Sequence, residues 1–143
     1  MEKLILLLSI LSFNISNAQL KEDNRDREQL TSVSFIGGNA SLRTIDGTYY
    51  VTYLDMKYQT INSTQSFTLG DIETLRNFRK SVLKAFGYKW KDRVVRRFTL
   101  DDKQFVVGSY TKNSITIKIF DRGVQHYMGT WNLKRFNKLI PEI

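Results

Sequence analysis

The chain has 143 residues, with 22 Lys and Arg against 14 Asp and Glu, one His, one Pro, no Cys and a net charge of +8. That length supports one domain of ordinary size with its own apolar core. Without cysteine there is no disulfide framework, thiolate nucleophile, Cys-ligated zinc or iron–sulfur cluster, and a single His excludes any site that needs two imidazoles.

Residues 1–18 have the form of a secretory signal peptide. Lys3 gives a basic start, Leu4 to Phe13 is an apolar run, and Ser16-Asn17-Ala18 places small residues at the cleavage spacing. The run is half of the roughly 20 residues that a membrane-spanning helix needs, so a cleaved leader is expected rather than an anchor. The expected mature protein starts at Gln19 and is exported, periplasmic or secreted. Having no disulfides in a compartment that permits them suits a bacterial envelope or exterior. Residues 19–29, including the seven charges of Lys21 to Glu28, read as a flexible, solvated leader, and 30–143 as a single domain.

Within that domain, alternation and turn chemistry predict strands at Val33 to Ile36, Ser41 to Ile45, Thr48 to Tyr58 and Gln65 to Thr68. Asp46-Gly47 is a two-residue hairpin turn between the second and third. A helix of about 18 residues is expected next, from about Leu69 to Phe86, with Thr68 as N-cap and Gly87 as left-handed C-cap. Its apolar stripe contains Ile72, Leu75, Phe78, Val82, Leu83 and Phe86. Strands resume at Val94 to Leu100, Gln104 to Tyr110, Ser114 to Phe120 and Val124 to Met128. A short helix around Trp131 to Ile140 closes the chain before Pro141.

This order predicts the α+β class: an antiparallel β-rich domain with one long helix and one short C-terminal helix. Thr74 to Val82 and Asn132 to Ile140 carry similar residues at most places, which an internal repeat or two unrelated basic amphipathic helices would equally produce. A true repeat implies two strand-then-helix halves. That arrangement is similar to single-stranded nucleic-acid-binding folds of the coactivator and Whirly class, a resemblance of architecture alone, with no motif of those families in this chain.

The charge is concentrated. Between Arg76 and Arg97 stand nine basic residues and one acid, Asp92. Arg76, Arg79, Lys80, Lys84, Lys89, Lys91 and Arg93 are the candidate anion-binding residues. Tyr88 and Trp90, with Tyr49 and Tyr53 of the Tyr-rich strand, are the candidate aromatic contacts. The expected function is therefore an exported, non-catalytic binding protein with a basic, aromatic-flanked surface. Its partners would be an anionic polymer, membrane head groups or an acidic protein. The alternative is a protein–protein factor, such as an inhibitor, immunity or assembly protein, that uses the Tyr-rich sheet face.

No catalytic residue, metal site or small-molecule cofactor is expected. His126 is in phase with Val124 and Met128 and reads as a packed strand histidine. Asp46, Asp101, Asp102 and Asp121 fall at turns. Asp55 is the acid without a turn, cap or leader role, and pairing with Lys57 or a neighbouring strand is expected of it.

Overall fold

A computed structural model describes residues 27–57, 62–88, 92 and 94–143. Four strands come first: β1 (Arg27–Phe35), β2 (Gly38–Ile45), β3 (Thr48–Leu54) and β4 (Thr64–Gly70). Helix α1 (Ile72–Leu83) follows. Four more strands, β5 (Val95–Leu100), β6 (Lys103–Thr111), β7 (Ser114–Asp121) and β8 (Val124–Asn132), lead into helix α2 (Leu133–Leu139). Each set of strands forms an antiparallel sheet in chain order, β1-β2-β3-β4 and β5-β6-β7-β8. The described residues are thus mostly antiparallel β with two helices, the broad α+β class read from the sequence.

The connections explain why both sheets are simple meanders. Asp46-Gly47, Asp101-Asp102 and Arg122-Gly123 all have positive φ at both positions. Two such residues in succession give a turn whose twist matches that of the flanking strands, and Asp and Gly reach this region at low cost. Strand alternation then directs one face of each sheet inward. Leu42, Val51, Phe67 and Leu69 of the first sheet, and Phe105, Val107, Ile115, Ile117 and Ile119 of the second, are fully buried in one shared core. Phe67 meets Phe105 edge-on at 4.9 Å between ring centroids, and Phe78 of α1 lies 5.5 Å from each of them.

Several boundaries differ from the sequence reading. α1 has 12 residues, not about 18, because Thr68, Leu69 and Gly70 complete β4 and the helix stops at Leu83, with Lys84 rather than Gly87 as its C-cap. Its N-cap is Asp71, whose carboxylate accepts from the Thr74 N–H at 2.8 Å. That bond, together with the Thr74 hydroxyl, lowers the pKa of Asp71. Leu75, Phe78 and Val82 are buried as expected, with Ile72 and Leu83 packed at the margin. β1 begins at Arg27, inside the stretch read as a flexible leader, because its backbone pairs with β2 as far as Ile45. β3 ends at Leu54, so the strand predicted to reach Tyr58 is shorter, and Tyr58 lies outside the described residues.

β8 runs four residues past its expected end at Met128, and Trp131 belongs to it rather than to the helix. The strand continues through a bulge: Ile117 pairs with Gly129 and Lys118 with Tyr127, leaving Met128 as the extra residue. At φ +111° Gly129 lies against the β1–β2 turn, where a Cβ would meet the Gly37 carbonyl oxygen at 2.1 Å. That carbonyl accepts the Thr130 N–H at 3.0 Å. Beyond the bulge Trp131 turns inward, edge-on to Phe35 at 5.0 Å, and its indole N–H donates to the Met128 carbonyl at 3.2 Å. The bulge is one seam between the two sheets.

Candidate functional site

The basic stretch from Arg76 to Arg97, which holds the expected anion-binding set, divides in three. Arg76, Arg79, Lys80 and Lys84 lie along α1 and line one open groove of about 650 Å³ with Leu83, Glu142 and Ile143. Helical spacing of three and four residues brings them to this face. Lys89, Lys91 and Arg93, with the aromatic candidate Trp90, lie outside the described residues, as do residues 1–18. Arg96 and Arg97 are exposed on β5, an edge strand.

The four helical cations are not equivalent. Arg79 is half-buried and donates from Nε to the Ile140 carbonyl at 3.1 Å and from Nη2 to Asn137 Oδ1 at 3.0 Å. It caps the end of α2 and ties the two helices together, a structural task. Arg76 is exposed and donates from Nε to the Ile143 carbonyl oxygen at 2.8 Å. Lys80 and Lys84 are exposed, and among the described residues neither has a carboxylate within ion-pair distance. α2 adds Lys134, Arg135 and Lys138, all exposed. Arg135 stacks over the Phe35 ring, 4.1 Å from its centroid.

The aromatic candidates fare less well. Tyr53, expected as a contact residue, is only 2% exposed and packs against Phe67 at 6.1 Å, because its strand directs Val51 and Tyr53 together into the core. Burial, with Asp55 and Asp121 nearby, raises the pKa of its hydroxyl. Tyr49 packs against the core edge. Tyr88 is half-buried beyond α1. The Tyr-rich strand therefore does not present a continuous aromatic face.

Asp55, the acid without a turn, cap or leader role, is only 2% exposed. Its Oδ1 accepts the Lys57 N–H at 3.0 Å and the Tyr127 N–H at 2.9 Å, and its Oδ2 lies 2.8 Å from Nδ1 of His126. The Met56 N–H donates to the Tyr127 carbonyl at 2.7 Å. Burial alone would raise this carboxyl's pKa. The Tyr127 and Lys57 N–H groups and the imidazole more than offset burial, and the pKa lies below the ordinary value. The expected pairings with Lys57 and a neighbouring strand are both present, through the backbone of Lys57 and through β8. The result fastens the end of β3 to the second sheet. Only the apolar context of Asp55 in a strand hinted at this, since partners 71 and 72 residues away leave no local pattern.

That fastening shapes a second groove, of about 580 Å³, on the outer face of β5–β8. Met56 and Lys57 form its wall, and Val95, Val106, Gly108 and Thr116 its floor, with Lys118 and Tyr127 beside them.

Among the described residues no group of three His, Asp or Glu side chains is placed to hold a metal ion, and no helix is long and apolar enough to cross a membrane. No protein-family model matches the chain, and neither the curated proteins nor the solved structures contain a significant match.

Proposed function

We propose that the protein is an exported, non-catalytic binding module that holds an anionic partner through the basic layer formed by α1 and α2. The observation that carries this reading is the α1 groove: Arg76, Arg79, Lys80 and Lys84 converge on one open surface, and Lys80 and Lys84 lack carboxylate partners among the described residues. Exposed lysines one helical turn apart repel one another, and a polyanion relieves that repulsion while releasing counterions. Lys134 and Lys138 extend the same layer along α2. The signal-like segment at residues 1–18 supports an envelope or extracellular setting, where lipopolysaccharide and phospholipid head groups, acidic glycans and acidic proteins are the available polyanions. The division into two strand-then-helix halves, one with the longer helix, fits a module in which the sheets supply the core and the helices supply the charged layer.

The test is retention on a heparin matrix as salt is raised. Reversing Arg76, Lys80 and Lys84 to Glu should abolish retention at moderate salt while leaving the fold intact, because none of the three holds the core. Arg79 is left in place because it secures α2. Reversing Lys21, Arg25 and Arg27 makes the same change in net charge at the other end of the chain. Equal loss in both triple variants would sink the reading, since net charge alone would then explain retention, and a protein partner would be the better account.

A further inference from the structure

We propose that the outer face of the second sheet is a separate binding site for a small anion with a flat apolar body, of the aryl carboxylate class. The argument starts from the strand register. One row across the sheet runs Arg97, Val106, Lys118, Tyr127, and the next runs Val95, Gly108, Thr116, Thr130. All eight positions point away from the core, since their strand neighbours Phe105, Val107, Ile115 and Ile117 are fully buried.

In the middle of these rows a side chain is missing. Gly108 stands between Val95 and Thr116, and a Cβ built there would meet only Thr116 Oγ1 at 3.6 Å and Val95 Cγ2 at 4.0 Å. Its backbone φ lies outside the left-handed region, so no turn or bulge demands glycine here. A glycine in a central strand forgoes packing and costs entropy, and it commonly marks close approach of another group. The gap opens the floor of the 580 Å³ groove, a volume within the range of small-molecule sites.

The walls indicate what would fill it. Val95, Val106 and Met56 offer apolar surface, and the Tyr127 ring is fixed by its hydroxyl, 2.7 Å from Thr130 Oγ1. Lys118 stands exposed beside Val106, and Arg97 lies on the other side of Val106 in the same row. Among the described residues no Asp or Glu lines the groove. A flat sheet floor with a tyrosine wall suits a planar ring, and cations at one margin suit a carboxylate on that ring. Asp55 acts as a positioning residue, because its bonds to the Lys57 and Tyr127 N–H groups hold the Met56-Lys57 wall against β8.

The probe is 2-naphthoate, with neutral 2-naphthamide as the shape-matched control, followed by calorimetric titration of the full chain. The expected result is saturable one-to-one binding of the naphthoate, with the amide at least about tenfold weaker. Gly108→Val fills the floor and favours the strand, so it should abolish binding with no loss of thermal stability. Lys118→Gln should weaken binding by about tenfold or more. The Arg76, Lys80 and Lys84 triple reversal should leave naphthoate binding unchanged, which separates this site from the α1 groove. No saturable binding at millimolar naphthoate would overturn the proposal. So would undiminished binding by folded Gly108→Val, or equal affinity for the amide.

Discussion

The two sheets are alike on the inside and unlike on the outside. Both are four-stranded antiparallel meanders in chain order, and both bury alternating apolar residues in the same core. On the outer face of the first, a row of hydroxyl residues, Ser32, Ser41, Thr52 and Ser66, crosses all four strands. The nearby Arg43 donates to Ser41 Oγ and Gln29 Oε1, both at 3.3 Å, so its guanidinium is occupied within its own sheet. The matching region of the second sheet carries Arg97, Val106, Lys118 and Tyr127. One set of strand positions thus specifies the fold in both sheets, while the alternate set is free to differ. Recognition chemistry resides in that second set.

Changes at the seam should have the largest effect, because they ask whether the sheets are one unit. Gly129→Ala forces a side chain into φ +111° and against the Gly37 carbonyl, and should cost about 3 kcal/mol or more in chemical denaturation. Both sheets should melt together in the variant, since they share one core. Leu75→Ala tests the same unity from α1, where the side chain is fully buried, and should cost roughly 2–5 kcal/mol. A cost near zero would mean that the helix stripe faces solvent.

Asp55→Asn should cost about 1–3 kcal/mol, because a neutral amide oxygen accepts the Lys57 and Tyr127 N–H groups less strongly than the carboxylate does and the amide nitrogen forces His126 Nδ1 to act as acceptor. The pH dependence follows from its lowered pKa. The Asp55 contribution is complete above the ordinary carboxylate pKa and is lost as pH falls through the lower folded-state value. Acid unfolding profiles of wild type and Asp55→Asn should therefore converge at the acidic end. The smallest effect belongs to Arg43→Gln on the neutral face, within about 0.5 kcal/mol of wild type and with heparin retention and naphthoate binding unchanged. Loss of either binding in Arg43→Gln would erase the distinction between the two outer faces.

Local chemistry made much of the fold legible. Asp46-Gly47 and Asp121-Arg122-Gly123 marked hairpins, and the alternation of Ile115, Ile117 and Ile119 marked a half-buried strand. Errors arose where one residue type serves two purposes. Thr68 is an acceptable N-cap but is a strand residue here, its N–H donating to Asp101 at 2.8 Å. The strand expected to end at Met128 instead continues through a bulge at Gly129, which packs against Gly37 far away in sequence. Alternation sets Tyr53 and Val51 on the face opposite Tyr50, but only the pairing across the sheet decides that theirs is the inward face. Of the candidate sites, the α1 groove was legible from helical spacing. The sheet groove was not, because it depends on pairing across four strands and on Asp55.

The Asp55 contacts also bear on the order in which the chain assembles. Each meander closes through hairpins between neighbours in sequence, whereas Asp55 meets Tyr127 across 72 residues and Thr31 meets Leu139 across 108. Closing such long loops before any sheet exists costs entropy that little else offsets at that stage, so local hairpins form early and the distant clasp late. A bond absent from the transition state slows unfolding without speeding folding. Asp55 therefore works chiefly as a kinetic latch: it sets how long the assembled pair of sheets persists and has little influence on how quickly the pair is made.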